Sequence, residues 1–389
     1  MSDTNRVALR FKKETTAGTL ITGAYAPLQY TGTSDLGATP ETVVSDIIRS
    51  DRQVNDLIKT NESIGGSFDT ELSPGVFDAL LLGALQASAW SSPAQADIFT
   101  GTLTLASSSI SHATLTTTDV DPGDFIRVSK GAVTKFYRVT AKTSTSLTVE
   151  GNPSADFSNG AGFTVTRGTY AKNASASSSF SFEREYADQS TPTFEYLTGL
   201  EIDSFSVSAS ASSIVTASFG MLGRSHNSTT SRPGTISTGA DIATTPFNAS
   251  NNVATIGEAG TPGLQVCTEL TMEVSNNLRE RNVVGVQGAQ SIGSGEFNVT
   301  GQLSVYFEDN VLLEKLLNNT ETSLSFGFAS SDGSALIFEM PAIKFSEGVP
   351  EVSGKNEDVM LNLGYQAIRK SGPSATADGY TLKITRFAA

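Results

Sequence analysis

The feature that most constrains this chain is alternation of apolar and polar residues with a period of two. Ser204-Phe205-Ser206-Val207-Ser208 alternates, and so do Leu270-Thr271-Met272-Glu273-Val274 and Glu296-Phe297-Asn298-Val299-Thr300. In an extended chain successive side chains point to opposite faces, so this pattern specifies strands with one buried and one solvated face. Asn276-Asn277 follows the second run as a turn signal. Hydrophobic residues make up 38% of the 389 positions, with 21 Phe, which is enough for a sizeable core. The class expected is therefore mainly β, with more than one strand-rich unit.

Two stretches read as short helices. The first covers about 73–90: Ser73 suits an N-cap, Pro74 the first helical position, and Asp78 the positive end of the dipole. Phe77, Leu80, Leu81, Ala84 and Leu85 give it one apolar face. The second covers about 310–317, with Leu312, Leu313, Leu316 and Leu317 inward and Asn318-Asn319 closing it. Gly66-Ser67-Phe68 precedes the first helix and Gly295-Glu296-Phe297 the second. Each is followed by an aromatic (Phe77, Phe307) and a Leu-Leu pair. Farther on, Phe205-Ser206 leads to Ser218-Phe219-Gly220, and Phe345-Ser346 leads to Asn362-Leu363-Gly364. The shared order of features predicts an internal two-fold repeat.

The organisation expected is thus 1–96 as the first half of one unit and 97–169 as a small inserted all-β domain. Residues 170–224 continue the first half, 225–263 form a polar excursion, and 264–389 form the second half. The insert carries Thr102-Leu103-Thr104-Leu105, Asp124-Phe125-Ile126-Arg127-Val128, Lys135-Phe136-Tyr137-Arg138-Val139 and Ser146-Leu147-Thr148-Val149 as strand signals. Four to six strands are expected of it. The excursion is poor in apolar residues and carries Pro233, Pro246 and Pro262.

Charge narrows the function. Lys and Arg number 26 and Asp and Glu 40, for a net charge of −14. Such a surface repels nucleic acid and anionic membranes, which speaks against DNA binding but not against a protein that lets DNA pass. The N-terminal residues lack a signal-peptide pattern, and no apolar run approaches the roughly 18 residues of a membrane span. With one cysteine, Cys267, no intrachain disulfide can form; the thiol follows Leu264-Gln265-Val266 and reads as a small buried hydrophobe. His112 and His226 read as solvated residues without metal-ligand spacing. Asp119, Asp121 and Asp124 miss the calcium-loop pattern, because Gly123 is misplaced and no Glu closes the loop; a turn before a strand fits them better. No nucleophile elbow, P-loop or dinucleotide fingerprint follows a strand. No cofactor, metal or catalytic residue is expected.

Serial order carries a resemblance. Arg10-Phe11-Lys12-Lys13-Glu14-Thr15, Ile48-Arg49-Ser50-Asp51-Arg52-Gln53, Gly66 to Ser73, and the helix with Phe77, Leu80 and Leu81 come first. Leu270 to Leu278, Gly295 to Gly301 and Tyr306-Phe307-Glu308-Asp309 follow. Together they resemble the tail tube (major tail) proteins of long-tailed, siphovirus-type bacteriophages, over about 1–90, 170–225 and 264–389. The resemblance implies a β-sandwich or half-barrel protomer, hexameric rings with one continuous inner β-barrel, and a stacked tube through which the genome passes. Partners implied are further copies of the chain, a tape measure protein, a tail terminator and a distal tail protein, in a virion tail assembled in the host cytoplasm.

Candidate site residues follow from alternation under that reading. Phe68, Thr70 and Leu72 fall on one face and Ser67, Asp69 and Glu71 on the other; Phe297 and Val299 oppose Glu296, Asn298 and Thr300. Asp69, Glu71 and Glu296 would then face the channel, although ordinary solvated carboxylates satisfy the same pattern. Arg49, Asp51 and Arg52 form a charge-dense loop, either solvated or paired with a neighbouring subunit. A contractile-tail, bacteriocin or secretion-system tube is the nearest alternative, but those subunits are shorter and lack a large β insert. A carbohydrate-binding adhesin is less consistent, because the single tryptophan, Trp90, falls at a helix end.

Overall fold

A computed structural model describes residues 3–91, 94–240, 244–262, 267–352, 354–370 and 379–389. The main sheet holds nineteen strands among the described residues, and thirteen of them with two helices carry the two units. They are β1 (Val7–Lys13), β2 (Gly37–Val44), β3 (Leu57–Glu71), α1 (Asp78–Ala84), β4 (Ser179–Tyr186), β5 (Thr193–Ser210), β6 (Thr216–Leu222) and β7 (Val253–Glu258). After these come β8 (Cys267–Ser275), β9 (Asn298–Tyr306), α2 (Val311–Leu317), β10 (Thr322–Ala329), β11 (Ala335–Glu351), β12 (Met360–Ala367) and β13 (Lys383–Phe387).

The repeat is present as connectivity. In the first unit β1 pairs with β4, β2 with β3, β3 with β6, β4 with β5 and β5 with β6, all antiparallel. In the second unit β7 pairs with β10, β8 with β9, β9 with β12, β10 with β11 and β11 with β12, again all antiparallel. α1 packs on β5 and α2 on β11. One further ladder, β5 with β8, joins the units into a single sheet.

Alternation decides which side of that sheet is dry. Phe205, Val207 and Ala209 are buried while Ser204, Ser206, Ser208 and Ser210 stay partly solvated. The buried set meets an aromatic column: Phe219 lies 4.8 Å from Phe205, 5.3 Å from Phe68 and 5.8 Å from Phe77. Such pairs each add about 0.5–1.5 kcal/mol beyond the burial of their area.

The helices differ from expectation at their ends. α1 starts at Asp78, not near Ser73; Ser73 Oγ turns back to the Glu71 carbonyl and caps nothing. Gln86 takes a left-handed backbone (φ 48°), and Ala87 N bonds Leu82 O, which ends the helix well before Trp90. Trp90 instead packs under the Arg386 guanidinium, 4.4 Å from ring centre. α2 matches its expected span, and Asn319 (φ 50°) closes it. Leu312 is buried and Leu313 and Leu316 are partly so, but Leu317 is 73% exposed and does not point inward.

Between α1 and β4 stands a closed six-stranded barrel, running from the strand Ala96–Leu105 to the strand Gly160–Arg167. It has its own core, including Ile110, Ile126, Val139, Leu147, Phe163 and Val165. The stretch 225–263 is less irregular than its composition suggests. It holds Ser225–Thr229, Ile236–Thr238 and β7, all short strands whose polar residues conceal the period. The residues 264–266 before Cys267 lie outside the described residues.

Candidate functional site

Registers place one set of side chains on the wetter side of the joined sheet. On β3 this set is Ser67, Asp69 and Glu71, directly opposite Gly220, Ser218 and Thr216 of β6. On β8 it is Glu269, Thr271, Glu273 and Ser275, opposite Ser210, Ser208, Ser206 and Ser204 of β5. On β9 it is Thr300, Gln302 and Ser304, opposite Gln366, Gly364 and Asn362 of β12. β11 adds Lys344, Glu347, Val349 and Glu351. Small hydroxyl and amide side chains dominate this surface. Its charged members are Asp69, Glu71, Glu269, Glu273, Glu347 and Glu351 against Lys344 alone.

Asp69 is exposed and Glu71 half-buried on this face, as alternation predicts. Glu296 is exposed but lies ahead of β9 in a connecting segment, where its carbonyl accepts from Asn277 Nδ2 at 2.8 Å. Phe297 packs on the core, so the expected parity holds there. Glu269 and Glu273 are additions to the sequence candidates; the alternation of Leu270 to Val274 is the signal that puts Glu273 on the polar side.

Arg49, Asp51 and Arg52 come together at the tip of the β2–β3 hairpin. Arg49 grips Asp51 with two donors, Nε at 3.0 Å and Nη2 at 2.7 Å, and Arg52 (φ 62°) makes the turn. The Arg49 hydrogen bond holds the Asp51 carboxyl below its ordinary range. The ion pair is therefore within the loop. Around it the hairpin exposes Val43, Val44, Ile47, Ile48 and Val54, with Ile48 98% accessible.

The remaining sequence candidates have local partners. Asp119 pairs with Arg167 and Asp121 with Lys142, each at 2.8 Å, and Asp124 Oδ2 accepts from Asp121 N in the expected turn. His112 packs against Phe99, with ring centres 4.8 Å apart and planes tilted by 50°. His226 is not simply solvated: it lies half-buried between Glu62 (3.6 Å) and Glu195 (4.0 Å), which its Ser/Thr-rich surroundings hid. Cys267 is half-buried, and burial pushes its thiol up to about 11.

The barrel meets the second unit through ionised side chains. Glu339 of β11, buried, is held by Lys383 at 2.7 Å and by Arg138 of the barrel, which also binds Glu150 at 3.0 Å. Burial alone would push the Glu339 carboxyl up, but Lys383 and Arg138 hold it below its ordinary range.

Fold and surface together define a class: a duplicated β protein with one long, acid-bearing, hydroxyl-rich sheet face and an exposed apolar hairpin. The chain belongs to the phage tail tube protein family, whose family model matches residues 4–367. No curated protein matches it. The family is structural and places the protein in the tail of the phage particle.

Proposed function

We propose that copies of the chain close into rings that stack into the tube of a long, non-contractile tail, with the polar sheet face lining a DNA channel. The observation that carries this reading is the continuity of that face across both units, with carboxylates on β3, β8 and β11. Carboxylates repel DNA phosphates, and Ser, Thr and Gln offer no fixed cation for them to grip, so a genome passes without sticking. Six chains per ring is the number the resemblance implies. The barrel stands on the outer surface, since the opposite side of the sheet carries the helices. Its presence favours the long-tailed reading over contractile-tail tubes. The hairpin around Arg49, Asp51 and Arg52 reaches the next ring with its apolar residues. Tape measure, terminator and distal tail proteins are the further partners.

Replacing Asp69, Glu71 and Glu296 together by Lys tests the channel. Tails should assemble, and genome ejection should slow in a way that added salt relieves, because the new attraction to phosphate is screened. Ejection at the normal rate from fully assembled variant tails would remove these residues from the channel.

A further inference from the structure

The registers fix which positions of the two units correspond. The ladder from β5 to β6 slips at Asp203, between Ile202 and Ser204; the ladder from β11 to β12 slips at Ser346, between Phe345 and Glu347. The residue just past each slip faces a glycine: Ser204 faces Gly220, and Glu347 faces Gly364. At both glycines a side chain would crowd the residue opposite. A Cβ at Gly364 would come within 2.7 Å of Glu347 Cγ, and one at Gly220 would strike Ser204 Oγ. Slip and glycine thus mark the same point twice. Carried across the sheet, Gly220 faces Ser67 and Gly364 faces Gln302. Four residues back on β3 and β9, Ser63 faces Thr39 of β2 and Asn298 faces Ser275 of β8. Thr39 is therefore the counterpart of Ser275, and β2 the counterpart of β8.

This equivalence exposes an asymmetry. Past its slip, β5 gives its outer edge to β8, from Ser204 opposite Ser275 to Ser210 opposite Glu269, and this ladder is the seam between units. Past its own slip, β11 has β12 on one side and, among the described residues, no strand on the other. Among the described residues β2 likewise pairs with β3 on one side only. The chain ends one way in an acceptor edge and the other way in a donor strand, and both halves of a working seam are already displayed inside it.

We propose that β11 of one copy takes β2 of the next copy in the register of the internal seam: Glu347 opposite Thr39, Gly348 opposite Ala38 and Val349 opposite Gly37. Val349 is 76% exposed at the waiting edge. Pro350 and Pro40 bound the ladder, since proline has no N–H to give. They also blunt both edges against strands of any other register. Donor and acceptor lie on different surfaces, so the contact is head-to-tail, the type from which rings are built. Each ring then holds twice as many wall units as chains. This inference rests on the ring reading above and changes one number in it: with two wall units per chain, a wall of six units closes with three chains in place of six.

A disulfide reads the register. Within the chain Asn276 N donates to Asp203 O at 2.7 Å, which makes Ser204 and Ser275 a non-hydrogen-bonded pair with close Cβ atoms. Their counterparts are Glu347 and Thr39, within disulfide reach across the proposed seam. The variant carries Thr39→Cys and Glu347→Cys with Cys267→Ser. Oxidation of assembled rings should convert most chains into covalent multimers. The shifted pair Ala38→Cys with Glu347→Cys, whose side chains point to opposite faces, should leave them monomeric. Rings seen by electron microscopy that give no multimers overturn the seam. Electron cryomicroscopy of the unmodified tube is the second measurement and needs no variant. It should find β2 of a neighbour on β11 and two wall units per chain. Another segment on that edge, or one wall unit per chain, overturns the proposal while the tube stands. Failure of the unmodified protein to form any ring removes the proposal together with the reading beneath it.

Discussion

The two units share their ladders and differ in their connections. In the first, β3 runs for fifteen residues and carries the β2–β3 hairpin clear of the sheet, with its apolar tip at 45–56. In the second, the equivalent connection, 276–297, folds into a small hairpin of Arg279–Arg281 with Ser291–Gly293. That hairpin lies back on the first unit, where Ser63 Oγ donates to Glu280 Oε1 at 3.0 Å and Gly288 N to Asn61 Oδ1 at 3.1 Å. A one-residue slip in a half-buried strand would turn its whole apolar set to water, so ladders resist change after duplication. A connection has only to close, and lengthening it costs little. Copies of one unit can therefore keep the same wall and acquire different arms.

The largest test of this comparison is truncation of each unit's inner column. Phe219→Ala removes the ring at the centre of the first unit's aromatic column and should cost about 3–5 kcal/mol; Leu363→Ala, at the equivalent point of β12, should cost about 2–5 kcal/mol. Because β5 and β8 form one ladder, hydrogen exchange should show protection falling in β3, β6, β9 and β12 together for either variant. Loss confined to the mutated unit would show that the two fold independently.

A second test is electrostatic, since one buried carboxyl in each unit responds to acid with opposite sign. Glu339, in the second unit, has its carboxyl held below the ordinary range by Lys383 and Arg138 against the effect of burial. Its contribution to stability is present above the ordinary carboxylate range, about 4.3, and is lost as pH falls through the depressed value. In the first unit burial raises the Glu201 carboxyl, and Arg224, 3.6 Å away, only partly offsets this. Its contribution is present below the ordinary range and is lost as pH rises through the raised value. Acidification should therefore loosen the Glu339 cluster before the surroundings of Glu201, visible as rising exchange at β11 and β13 before β5. Glu339→Gln should reproduce that release at neutral pH, with a cost on the order of 3–5 kcal/mol for the cations left buried. Equal protection of both units throughout an acid titration would contradict the assignment.

The smallest effect concerns the seam itself. Cys267 opens β8, and burial pushes its thiol up to about 11. At pH 8 its alkylation should run roughly a hundredfold slower than that of a free thiol, and denaturant should restore the ordinary rate. Fast alkylation of the folded protein would mean that the start of β8 is open.

Alternation makes the sheet legible, and with it the side on which Asp69, Glu71 and Glu273 lie. The match of Ser218-Phe219-Gly220 to Asn362-Leu363-Gly364 holds residue for residue, with a glycine opposite the residue just past each slip. The match of Phe205-Ser206 to Phe345-Ser346 does not: the slips align Ile202-Asp203 with Phe345-Ser346, and a β-bulge leaves no mark in a period-two pattern. α1 is shorter than its pattern because the apolar face continues through Leu85, while the left-handed turn falls on Gln86 and not on a glycine or asparagine. The strands of 225–263 are illegible because they are short and none alternates cleanly, Ser225–Thr229 being polar throughout. The pairing of Arg49 with Asp51 at the hairpin tip reads in sequence only as a charge-dense loop; the turn at Arg52 is what brings the two together.

The barrel has a mechanical consequence. It leaves the first unit after α1 and lands on the second. Phe136 meets Phe387 of β13 at 5.1 Å, Phe125 packs with Ala335 and Ile337, and Arg127 donates to the carbonyls of Gly333 and Ala388 at 2.7 and 2.8 Å. It is a strut across the internal seam. In a ring with the proposed contact, the seam within each chain is braced by ladder and strut, while the seam between chains is a short ladder between two prolines. Compliance then alternates around the wall. Under bending load the rigid element is the whole chain, and strain gathers at every second seam.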